Sequence, residues 1–147
     1  MFKPLGMLIV ILAPQIATAQ QAQPCDWEAS VQSLAEPWAE NTRLFANGDV
    51  RLALLDTLEP AAAAFRLLIL SPPFDELGDR QCITVGHGSA GFSGMMFDQL
   101  TSDYDPARGL IFDIPVQVMG TGDVLFEDRH LQVTLNQANG DVSAAFK

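Results

Sequence analysis

Residues 81–94, QCITVGHGSAGFSG, concentrate the side chains that could do chemistry. Gly86, Gly88 and Gly91 stand in the GxGxxG spacing that cradles a pyrophosphate where a strand feeds a helix N-terminus. Ser89 sits in HGSAG, which differs from the GxSxG nucleophile elbow only by His87 in place of the first glycine. The phosphate chemistry needs a helix opening at the third glycine, yet the next residues are FSGMMFDQL, and Gly94 among them weakens a helix. It also needs an acid at the end of a second strand, whereas Asp103 and Asp105 flank a Pro-Gly turn.

The nucleophile chemistry needs a base and an acid. His87 and His130 are the two histidines of the chain, and Asp113 or Asp123 could supply the acid. The chain is too short for the large parallel sheet that usually carries such an elbow. We therefore expect a glycine-rich bend, and take a hydrolase using Ser89 with His87 or His130 as the alternative. Gly86, His87, Gly88 and Ser89 are the first residues to inspect for ligand binding. No HxH or HxxxH pair occurs, and neither DELGD nor SDYDPARG has the acid spacing of an EF-hand loop, so no metal and no cofactor are expected.

The elements that must position this loop read as β. Asn47-Gly48 lies between two apolar-rich runs and predicts a hairpin with a type I′ turn. The same pentapeptide, ANGDV, returns at 138–142 and predicts a second hairpin. AAAAFRLLILS could begin as a helix, but its second half, apolar apart from Arg66 and closed by Pro72-Pro73, suits a buried strand. RQCITV is a further strand. DPARG predicts a turn between MMFDQLTSDY and GLIFDIPVQV, with Pro106 presetting φ and Gly109 left-handed. Pro115 cannot donate to a ladder, which places its strand at an edge or a bulge. In HLQVTLNQ, Leu131, Val133 and Leu135 alternate with polar residues, the pattern of a half-buried strand.

Residues 26–36 fit two periods: a helix through Trp27, Val31, Leu34 and Trp38, or a strand with Trp27, Ala29 and Val31 on one face. The strand fits its neighbours better. The sum is an all-β antiparallel sandwich or small barrel of about seven or eight short strands, with one short N-terminal helix as an option.

The first residues have the form of a cleaved signal peptide at 1–19. Lys3 precedes an apolar run from Leu5 to Ala13, and Ala17 and Ala19 suit a cleavage site. That run is short of the about 20 residues a membrane span requires, so no stable membrane insertion is expected after cleavage. Residues 20–147 then form one β-rich domain, periplasmic or secreted. Cys25 and Cys82 predict a disulfide in such a compartment. With 18 acids against 8 basic residues the chain repels phosphate backbones, so nucleic acid is not an expected partner. A sound core without a full catalytic set points to a non-enzymatic binding or accessory domain. Its ligand would be a protein, or a small apolar molecule held between sheets.

Overall fold

The computed structural model describes residues 20–147. The signal-peptide expectation at 1–19 lies outside the described residues. Two antiparallel sheets form a β-sandwich, as the turn spacing predicts. The first sheet has the order β1-β5-β4-β3-β2, from β1 (Gln20–Pro24), β5 (Arg80–His87), β4 (Phe65–Phe74), β3 (Val50–Asp56) and β2 (Thr42–Phe45). The second runs β10-β9-β8-β6, from β10 (Val142–Phe146), β9 (Phe126–Leu135), β8 (Gly109–Met119) and β6 (Gly94–Met95); β7 (Thr101–Asp105) also pairs with β8.

The inner faces meet in one apolar core. Val50, Leu52, Leu54, Leu67, Ile69 and Val85 face Phe112, Ile114, Val116, Leu131, Val133 and Leu135, with Phe92 and Phe97 between them. Most of these side chains are fully buried, and they fill the space between the sheets. The alternation read in HLQVTLNQ holds, because Leu131, Val133 and Leu135 of β9 enter this core while the residues between them do not.

The turns obey their residues. Asn47 and Gly48 have φ of +56° and +95°, and Asp49 N–H donates to Ala46 O at 3.1 Å, closing a type I′ turn inside the β2–β3 hairpin. The second ANGDV also lies in a hairpin, but its turn is helical: Gly140 N–H donates back to Asn136 O at 2.8 Å. The register explains the difference, since the ladder closes at Phe45↔Val50 in one hairpin and at Leu135↔Val142 in the other, around a longer loop. DPARG turns as predicted, with Gly109 at φ +97°.

Three expectations need correction. Residues 26–36 are neither strand nor α-helix but a turn-rich segment with one 3₁₀ turn at Val31–Ser33. Pro37 and the few residues before it cannot sustain a helix, so the segment closes single local turns, such as Ala29 N–H to Asp26 O and Ser33 N–H to Ser30 O, and then sends the Ala35 N–H to Leu54 O on β3. The strand of Pro115 is not at an edge: β8 lies between β9 and the β6/β7 pair. Its neighbour is interrupted instead. Met96 N–H donates to Pro115 O, so the missing proline N–H points the same way, where the chain leaves the ladder as a 3₁₀ turn at Phe97–Gln99. Pro72-Pro73 does not end β4 either. The strand runs on to Phe74 with a register shift against β5, beyond the point where β3 stops pairing at Leu70.

Candidate functional site

The glycine-rich loop is a tight turn. His87 and Ala90 exchange two backbone hydrogen bonds, both 3.1 Å, and Gly88 alone of the two central residues has positive φ (+59°), the pattern of a type II′ turn. The other two motif glycines are required by close approach. A Cβ on Gly86 would lie 2.3 Å from Ala90 O, and one on Gly91 would lie 2.4 Å from Phe65 O. Beyond Gly91 the chain enters β6 and not a helix, so among the described residues no helix N-terminus follows the loop.

Ser89 is exposed at the turn, and its carbonyl accepts from Arg66 Nη2 at 3.2 Å. Its hydroxyl makes no hydrogen bond to an imidazole or carboxylate among the described residues. His87 points to the inner side, its ring 5.5 Å from Phe146 and 6.3 Å from Phe92 between centroids. Its Nδ1 is buried without a hydrogen-bond partner among the described residues. His130 has the opposite parity to the fully buried Leu131, so it stands on the outer face of the second sheet. There its Nδ1 lies 3.7 Å from Asp113 Oδ1, and Lys147 Nζ pairs with the same carboxylate. The fold therefore joins His130 to Asp113, and sets His87 and Ser89 apart from that pair. Asp123 is exposed near the β8–β9 turn.

A second region has stronger geometry. The register places Leu44, Arg51, Leu70 and Cys82 in one row across the outer face of the first sheet, and Thr42, Ala53, Leu68 and Thr84 in the next. Leu55 and Arg66 extend the third. The centre of this face is apolar, and residues 26–41 cross it as a strap from the β1 edge to the β2 edge.

Each end of the strap is fixed. The Cys25–Cys82 disulfide ties its start to β5, with a Cα–Cα distance of 5.4 Å. Thr84 Oγ1 then donates to Glu28 Oε1 at 3.0 Å, and both residues are almost wholly buried. At the far end Leu34 bridges Leu55, and Ala35 N–H donates to Leu54 O at 3.0 Å. Asn41 closes the strap by donating its Nδ2 to Ala35 O and Pro37 O, both at 3.3 Å.

Between strap and sheet a cavity of about 180 Å³ remains, lined by Val31 and Leu34 above and by Ala53, Leu55, Leu68 and Leu70 below. Arg51, Thr42 and Ser30 bring the polar atoms to its edge. The chain's two tryptophans, Trp27 and Trp38, both lie on the strap and both are exposed. A further apolar patch, Met119, Val124, Leu125 and Phe126, sits at the end of the β8–β9 hairpin.

Sequence reasoning missed this groove because its residues are scattered over a strap and three strands. One trace was present: VRLALLD and RLLIL are apolar on both parities, so both faces of β3 and β4 had to be covered. Glu28 carries no such trace.

Among the described residues no three His, Cys, Asp or Glu side chains converge as a metal site, and no helix is long and apolar enough to cross a membrane. No family model, curated protein or solved structure matches the chain. The chain is a small antiparallel β-sandwich closed by one disulfide, a bond that fits an oxidising compartment.

Proposed function

We propose that this chain is an exported, periplasmic or secreted binding domain without an enzymatic step, and that it takes an apolar group into the groove beneath the strap. The observation that carries this reading is the apolar cavity of about 180 Å³ on the outer face of the first sheet, beside an inter-sheet space already filled by side chains. A small apolar ligand therefore sits outside the core and not between the sheets. The groove needs little reorganisation to receive it, since disulfide, buried hydrogen bond and β-bridge hold the strap in place, which lowers the ordering cost of binding.

The tryptophans on the strap make the reading testable. Titration with the neutral probe 3-phenylpropanamide should change tryptophan emission saturably. Ala53→Leu, which extends a side chain into the cavity, should abolish that change while circular dichroism stays β-like. Binding that survives Ala53→Leu would overturn the groove assignment. Under this reading Ser89 is a turn residue, so Ser89→Ala should leave probe binding unchanged. Hydrolysis of a p-nitrophenyl ester by the wild type that disappears in Ser89→Ala would instead establish the hydrolase.

A further inference from the structure

The groove has one charged group at its mouth. Among residues 20–147, Arg43, Arg66, Arg80, Arg108, Arg129 and Lys147 each donate to a backbone carbonyl or pair with a carboxylate. Arg51 alone makes no hydrogen bond or ion pair with a described residue, and it is exposed where it lines the groove. A chain of net charge −10 that leaves one guanidinium without a partner among the described residues, beside an apolar cavity, offers an anion a local site that the rest of the described surface does not. Arginine is suited to this task, because its planar fork binds a carboxylate through two parallel hydrogen bonds.

Resting on the groove reading above, we infer that the ligand is a small amphiphilic monocarboxylate, its apolar body under the strap and its carboxylate on Arg51. The dimensions set the size of the body. An apolar protein cavity of about 150 Å³ accommodates benzene, so about 180 Å³ takes one aromatic ring or a short alkyl chain. Arg51 and Leu55 both line the cavity and lie four residues apart on β3, which spans about 13 Å at the rise of a strand. Thr42 and Ser30 lie at the same cavity and can donate hydroxyl hydrogen bonds. A long-chain lipid exceeds this space, and a cationic amphiphile would meet Arg51 with like charge.

An isosteric series separates head group from body. Titrations of tryptophan emission would compare 3-phenylpropionate, 3-phenylpropanamide and 3-phenylpropylamine on the wild-type chain, Arg51→Gln and Arg51→Glu. The acid should bind the wild type at least about tenfold more tightly than the amide, and the amine more weakly than both. Arg51→Gln should bring acid and amide to equal affinity, and Arg51→Glu should favour the amine. Arg51 is exposed, so neither variant removes a core contact, and matching thermal transitions would confirm the fold. Equal wild-type affinity for all three compounds would overturn the head-group inference while leaving the groove. An acid preference that persists in Arg51→Gln would also overturn it. Failure of all three to bind would remove the groove reading and the inference together.

Discussion

The two outer faces of this sandwich differ sharply although their inner faces are alike. On the first sheet, Ala53, Leu55, Leu68 and Leu70 make the outer face apolar, and a disulfide-anchored strap covers it. On the second sheet, Asp113, Gln117, Asp128, His130, Gln132 and Thr134 take the same positions, and no strap crosses them among the described residues. The difference comes from strand composition. Strands that alternate apolar and polar need one cover, the opposite sheet, while strands apolar on both parities need two. The groove is the place where the second cover is incomplete, so the cavity arises from the same demand that shaped the strap.

The largest test of that asymmetry is removal of the strap's anchor. Cys25→Ala with Cys82→Ala should lower unfolding free energy by about 4 kcal/mol on the chain-entropy model, read as a shift in denaturant midpoint. A loss under about 1 kcal/mol would mean that the strap holds itself without the bridge. Next, Leu55→Ala on the covered face should cost about 2–4 kcal/mol, as in a core, while Thr134→Ala on the bare face should stay within about 0.5 kcal/mol. Similar costs at the two sites would erase the comparison.

A smaller contrast sets one polar pair against another. Thr84→Val deprives the buried Glu28 carboxylate of its hydroxyl donor and should cost about 1–3 kcal/mol. Lys147→Met breaks an exposed ion pair with Asp113 and should cost less than about 1 kcal/mol. A double-mutant cycle between Glu28 and Thr84 should show coupling well above that between Lys147 and Asp113.

The smallest effect is electrostatic and lies at the β7–β8 turn. The backbone N–H of Ala107, seconded by the Arg108 side chain, holds the Asp105 carboxyl below its ordinary range. A carboxylate with a lowered folded value stabilises the protein above its unfolded pKa, and that contribution fades as pH falls through the folded value. The stability difference between wild type and Asp105→Asn should therefore shrink below about pH 4. A difference that grows on acidification would contradict the assignment.

Much of the frame was legible in the residues. The hairpin at Asn47-Gly48, the DPARG turn, the alternating β9 and the Cys25–Cys82 bridge all rest on local chemistry: positive φ, a preset proline, period two and cysteine pairing. The strand count came out low because β1, QQAQP, has no apolar run, and because the partner of Pro115 is split into β6 and β7. The strap resisted reading because its order comes from contacts far along the chain, Glu28 with Thr84 and Leu34 with Leu55. The glycine motif drew attention to 86–91 for a reason that is backbone crowding, while Arg51 looked like any surface arginine within a strand. That Arg51 has no partner among the described residues shows only once its neighbours in space are known.

The central claim, that the ligand site lies between the strap and the outer face of the first sheet, is tested most directly by nuclear magnetic resonance. Backbone amide shifts of the assigned chain would be tracked during titration with 3-phenylpropionate. The account predicts saturable changes at 29–34 and at 42, 51, 53, 55, 68 and 70, with the second sheet and the turn at Gly88-Ser89 unmoved. Changes centred on His130 and Asp113, or on 86–91, would contradict it.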